Sequence, residues 1–158
     1  MVPQSISNEL DGARDYFEET DHNVFEDILA RELIDKERIV FQNKHFVALC
    51  PYASRFPYET WIIPKSHDPS FEDFNDGERW HLAETVHTVL GRLYRQLDDP
   101  PFNYYIHTAP SDGNNYSSYR WHIEITPRLT EIAGFERGTG FYINPMSPEA
   151  AAKSLRSG

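Results

Sequence analysis

The chain has 158 residues, 39% of them hydrophobic and 14% aromatic, with a formal net charge of −10. That length suits one unit over residues 1–158, and the apolar and aromatic content excludes a disordered chain. The acidic balance argues against a nucleic-acid backbone as partner, and no run is apolar enough to span a membrane. The N-terminal stretch MVPQSISNELDG lacks the basic and apolar regions of a signal peptide. The lone cysteine, Cys50, forms no internal disulfide and reads as a buried thiol in a cytoplasmic protein.

In chain order, residues 8–19 (NELDGARDYFEE) predict a polar helix with Leu10, Ala13, Tyr16 and Phe17 on one side. NVFEDILAREL follows as a short helix. RIVFQN and HFVALCP are two β-type runs joined by a tight turn at Asn43 and Lys44, and YETWIIP is a third strand ended by Pro64. Residues 76–97 form the one long amphipathic helix, with Ala83, Val86, Leu90, Leu93 and Leu97 at spacings of three and four. Pro100 and Pro101 stop it. FNYYIHT is a fourth strand, SDGNNYSS a polar loop and YRWHIEIT a fifth strand. GFERGTGFYINP reads as irregular. SPEAAAKSLR reads as a helix with Ser147 at the N-cap, Pro148 at N1 and Glu149 in the first turn. This order predicts an α+β fold: a five-stranded antiparallel sheet with one long helix and flanking shorter helices.

The fifth strand carries the chemistry. Residues two apart on a strand share a face, so Trp121, Ile123 and Ile125 face one way and Arg120, His122 and Glu124 the other. In the fourth strand Asn103, Tyr105 and His107 share a side. If the two strands pair, His107 lies across from His122 or Glu124. Arg55, Lys65, Arg120 and Arg128 are candidates for phosphate contacts or for pairing with carboxylates. GFERGTG is not a P-loop, because it lacks the Gly-Lys-Ser/Thr ending.

The ordered motifs FVALCPYASRFPYETWIIPKSH, YYIHTAP, RWHIEITPRL, AGFERGTGFYINP and PEAAAKSLR resemble the C-terminal half of galactose-1-phosphate uridylyltransferase. That family belongs to the histidine-triad superfamily and carries two such domains in one chain. The resemblance implies a HIT-like domain and a link to uridylyl transfer between hexose 1-phosphates through a covalent uridylyl-histidine. It also implies a sugar phosphate or nucleotide sugar as ligand, with Glu136, Gly138, Tyr142 and Asn144 as candidate lining. For zinc or iron the resemblance implies two alternative sets, His122 with His67 and Glu26, or His107 with His122 and Glu124. Two departures qualify it. No His-Pro-His occurs in the sequence, and Glu124 stands where the pseudo-repeat places the nucleophile. Relatives often carry a Cys-x-x-Cys pair where this chain has Asn23 and Glu26, with His22 beside them.

The expectation is a C-terminal-type domain inactive in uridylyl transfer by itself, with a homodimer or an N-terminal-type half as partner. The alternatives are a stand-alone HIT-like nucleotide hydrolase or transferase, and a non-catalytic binding or assembly module.

Overall fold

The computed structural model describes residues 2–73 and 75–158. The chain runs α1 (Gln4–Thr20), α2 (Val24–Asp35), β1 (Ile39–Gln42), β2 (Phe46–Leu49), β3 (Thr60–Pro64) and a 3-10 turn at Phe71–Asp73. It continues with α3 (Asp76–Leu97), β4 (Phe102–His107), β5 (His122–Pro127), α4 (Gly134–Thr139) and α5 (Pro148–Ser157).

The strands form one sheet in the order β1-β2-β3-β5-β4, every neighbouring pair antiparallel. After β3, α3 crosses one face of the sheet and delivers β4 to the far edge. β5 then returns into the gap between β3 and β4, so all six of its residues are buried. That insertion carries His122 and Glu124 into the middle of the sheet.

The two faces are covered separately. Val40, Phe46, Ala48, Ile62, Trp121, Ile123 and Ile125 pack against Leu82, Val89 and Leu93 of α3 and Ala151, Ala152 and Leu155 of α5. On the opposite face, Ile39, Val47, Leu49 and Ile63 meet Leu29 of α2. A third cluster, Ala13, Phe25, Ala109 and Tyr119, ties α1 and α2 to the segment before β5.

Local chemistry sets the element ends. Asn43 closes the β1–β2 turn: its N–H donates to Phe46 O at 3.0 Å. Its side-chain oxygen accepts from His45 N and Phe46 N at 3.1 and 2.9 Å. Asn23 caps α2 by accepting from Phe25 N and Glu26 N, and Ser147 caps α5 by accepting from Ala150 N.

Three expectations are corrected. The buried stripe of α3 is Leu82, Thr85, Val89 and Leu93, with Ala83 exposed and Val86, Leu90 and Leu97 only partly buried. Thr85 can sit inside because its hydroxyl donates to His81 O at 2.8 Å and accepts from Asn43. Phe17 is exposed, leaving Ala13 as the buried residue of α1. The glycine-rich segment is not wholly irregular. Gly134–Thr139 is helical because the Glu136 carboxylate accepts from Ala133 N at 2.9 Å, while Gly140 takes the left-handed C-cap at φ 75°.

Candidate functional site

Strand register sets His107 directly opposite His122 and Tyr105 opposite Glu124. Trp61 of β3 also pairs with Glu124. β5 is thus flanked by strands on both sides, and α1 supplies a further group over its polar face. Glu9 places both carboxylate oxygens 3.0 Å from His107 Nδ1 and accepts from the Tyr119 hydroxyl at 2.9 Å. His122 Nε2 lies 4.0 Å from Glu9. Ligand atoms of Glu9, His107 and His122 all fall within 4.8 Å of one another.

Orphaned atoms make this cluster more than a hydrogen-bonded core. The His122 ring has no exposure, stacks on Trp61 at 4.7 Å and lies 3.2 Å from Arg120 O through Nδ1. A proton on Nδ1 satisfies that carbonyl and leaves a lone pair on Nε2, which is buried and has no hydrogen-bond partner. Burial pushes the His122 pKa down to about 4, so the ring is neutral at pH 7. Glu124 Oε2 is the second orphan, 3.8 Å from His107 Nε2, while Oε1 is paired with the Arg55 guanidinium.

Charge is distributed unevenly around His107. Burial works against its protonated form, but the hydrogen bond to Glu9 and the charges of Glu9 and Glu124 outweigh burial and raise its pKa. Burial alone would raise Glu9. The hydrogen bond and the positive charge of His107, with the Tyr119 hydrogen bond, hold it below the usual carboxylate range instead. Glu124 is pushed up by burial, with Arg55 opposing. Two imidazoles and a carboxylate, with an orphaned imidazole lone pair among them, form a donor set suited to zinc or iron. Glu124 is the fourth donor nearest at hand.

The other metal set divides. His67 Nδ1 and Glu26 lie 3.3 Å apart, but Arg120 rather than His122 joins them. Arg120 Nη2 is 3.3 Å from Glu26 and 3.4 Å from His67 Nδ1, and Nη1 donates to Pro64 O at 3.1 Å. Arg120 is 2% exposed, and a buried guanidinium between these groups supplies the positive charge itself. His67, Glu26 and Arg120 therefore do not fit a metal ion. Asn23 is committed to capping and to Ser118 O, and exposed His22 faces Asp27 at 3.3 Å.

Glu136, Gly138, Tyr142 and Asn144 do not converge on one point, and none of them lines the cavity near them. Glu136 accepts from Ala133 N and Ile143 N. Asn144 binds Ser54 O and Met146 N, Tyr142 packs on Phe56 at 5.1 Å, and Gly138 stands open. Beside them lies a cavity of about 540 Å³ bordered by Asn103, Tyr105, Thr126, Arg128 and Arg137.

Sequence reasoning missed Glu9, Arg137 and the pairing of Arg55 with Glu124. Glu9 was findable: with Ala13 at i+4 and Tyr16 at i+7 it shares the inner stripe of α1. The Arg55–Glu124 pair spans 69 residues and had no local signal.

The model of the galactose-1-phosphate uridyl transferase C-terminal domain matches residues 9–143. The chain belongs to this family. A similar protein is ADP-glucose phosphorylase of Arabidopsis thaliana, 39% identical over 158 residues, covering 99% of this chain and 44% of that protein. A crystal structure of an Arabidopsis thaliana ADP-glucose phosphorylase with bound ADP-glucose superposes with a TM-score of 0.89 and 38% identity, over 100% of this chain and 50% of that one. Galactose-1-phosphate uridylyltransferase of Thermotoga maritima is 32% identical over 165 residues, covering 99% of this chain and 51% of that protein. This uridyl transferase C-terminal domain thus spans about half the length of the curated relatives it matches. A Zn-bound histidine triad protein of Mycobacterium smegmatis shares the fold, with a TM-score of 0.55 at 16% identity over 75% of this chain and 81% of that one.

Proposed function

We propose that this chain, as one unit over residues 1–158, is the C-terminal-type half of a hexose-1-phosphate uridylyltransferase-like enzyme and does not transfer by itself. In this reading it supplies a metal centre, an anion pocket and a docking edge to an N-terminal-type half.

The state of the β5 polar face carries the reading. A nucleophile at phosphorus needs an accessible lone pair. His122 has no exposure, and Glu124, 1% exposed, is paired with Arg55. Neither can reach a phosphorus atom. The coverage of about half of each relative supports the pairing with another half.

A sugar phosphate or nucleotide sugar is the proposed ligand. The names of the relatives point to that class, and the pocket bordered by Arg128 and Arg137 offers it cationic partners. Glu136, Gly138, Tyr142 and Asn144 would stand beside that pocket. A zinc or iron ion held by Glu9, His107 and His122 would cross-link α1 to β4 and β5 behind that pocket. The one buried thiol, Cys50, whose pKa burial raises to about 12, supports a cytoplasmic setting. No helix among the described residues is long and apolar enough to cross a membrane.

Incubation of the purified chain with UDP-glucose and galactose 1-phosphate tests the reading. The expected result is no product and no uridylyl adduct in the intact mass. An adduct on any histidine, or hydrolysis of the nucleotide sugar, would favour an independent enzyme.

A further inference from the structure

Arg55 lies in the connection between β2 and β3, where a buried carboxylate holds it. Glu59, 1% exposed, accepts from Arg55 N at 2.7 Å, from Phe56 N at 3.2 Å and from Trp61 Nε1 at 3.1 Å. The guanidinium of Arg55 has Nε 3.8 Å from Glu59 and pairs through Nη2 with Glu124 Oε1. Its side chain is 40% exposed, while that of Glu124 is 2% exposed. One cation reaching in from solvent thus fastens a buried carboxylate whose other oxygen has no partner.

That carboxylate stands at the rim of the Glu9–His107–His122 cluster, with Oε2 3.8 Å from His107 Nε2. A divalent cation entering the cluster meets two consequences of Arg55. It meets a fixed positive charge one carboxylate away, since Arg55 pairs with Glu124 and Glu124 borders His107. It also meets a fourth donor, Glu124, whose negative charge is already neutralised.

We propose that Arg55 is a positioning residue that sets the metal affinity of the Glu9–His107–His122 centre by holding Glu124 away from the ion. This rests on the reading of that cluster as a metal centre. The ion and Arg55 compete for one carboxylate, so weakening either partner of the Arg55–Glu124 pair changes how the centre binds metal. Glu59 acts one step further out, by fixing the backbone from which Arg55 extends.

The roles separate in a set of zinc titrations by calorimetry on chelator-stripped protein at constant pH. Arg55→Met removes the competing charge and is expected to tighten zinc binding at least tenfold over wild type. Arg55→Lys keeps the charge and is expected to stay near wild type. In a Glu124→Gln background the Arg55→Met gain should largely disappear, because the carboxylate being released is gone. Circular dichroism of the stripped proteins shows that each variant is folded. Zinc binding by Arg55→Met where wild type binds none also supports the proposal. Wild-type binding left unchanged or weakened by Arg55→Met overturns it while leaving the metal centre standing. A gain of the same size with and without Glu124 overturns action through that carboxylate. No zinc bound by either wild type or Arg55→Met overturns the metal centre and the proposal together.

Discussion

His122 is a polar side chain that the fold keeps neutral. It is sealed by Trp61, Phe25 and Tyr119, whose ring centroids lie 4.7, 5.7 and 6.3 Å from its own. Its folded pKa of about 4 is depressed below the value of about 6.5 expected when unfolded. Between those values the unfolded chain binds the proton and the folded chain does not. Stability from this residue is therefore present above pH 6.5 and is lost as pH falls toward 4. The separation corresponds to roughly 3 kcal/mol. Urea denaturation of chelator-stripped protein at pH 7 and pH 4.5 should show the loss, and His122→Leu should flatten the profile over that window. Equal slopes in the two proteins would mean that His122 is charged or solvated. The neighbouring His107, with its raised pKa, contributes with the opposite sign, so the difference between the proteins is the informative quantity.

Elements are held by side chains that serve two of them. Asn23 is 8% exposed, and its two ends do different work. Its oxygen caps α2 through Phe25 N and Glu26 N, and its amide donates to Ser118 O at 2.9 Å, just before β5. Asn23→Ala should cost about 1–2 kcal/mol for the cap, with more from the broken tie, whereas Asn23→Asp should keep the cap and lose only the tie. Urea midpoints ordered wild type, then Asp, then Ala would bear this out; an alanine variant as stable as wild type would not. Arg120 joins two elements and a loop in the same way, binding Glu26 of α2, the Pro64 carbonyl at the end of β3 and His67 beyond it.

At the scale of the whole molecule, β4 is one of the two edges of the sheet, with β1 at the other. Phe102, Tyr104 and Ile106 project along one side of it and are 42%, 64% and 40% exposed. Phe102 and Tyr104 border a groove of about 270 Å³ with Val86 and Leu90 of α3. An apolar edge of this kind invites another strand. A second copy pairing along this edge would give a two-fold dimer, the simplest closed arrangement. Light scattering coupled to size exclusion should give a dimer mass at tens of micromolar, insensitive to salt because the contact is apolar. Tyr104→Lys should shift it to monomer. A monomer at both low and high salt in the wild-type chain would rule out association through this edge.

Periodicity and turn chemistry are properties of neighbouring residues, and they carried the element order, the antiparallel α+β class and the alternation of β5 into an apolar and a polar face. The motifs in order likewise pointed to the uridyl transferase family. The stripe of α3 came out one position displaced because apolarity alone ranks Ala83 above Thr85, whereas the fold buries the threonine against a backbone carbonyl and Asn43. The membership of the Glu9–His107–His122 cluster was beyond local reading for the same kind of reason. Glu9 meets His107 across 98 residues, and Arg55 meets Glu124 across 69. His122 and His67 read as partners along the chain, yet Arg120 takes the place beside His67. Contacts between distant segments depend on which strand inserts where. The return of β5 between β3 and β4 decided that two histidines and a glutamate would meet in one place, and that a guanidinium would sit beside His67 and Glu26.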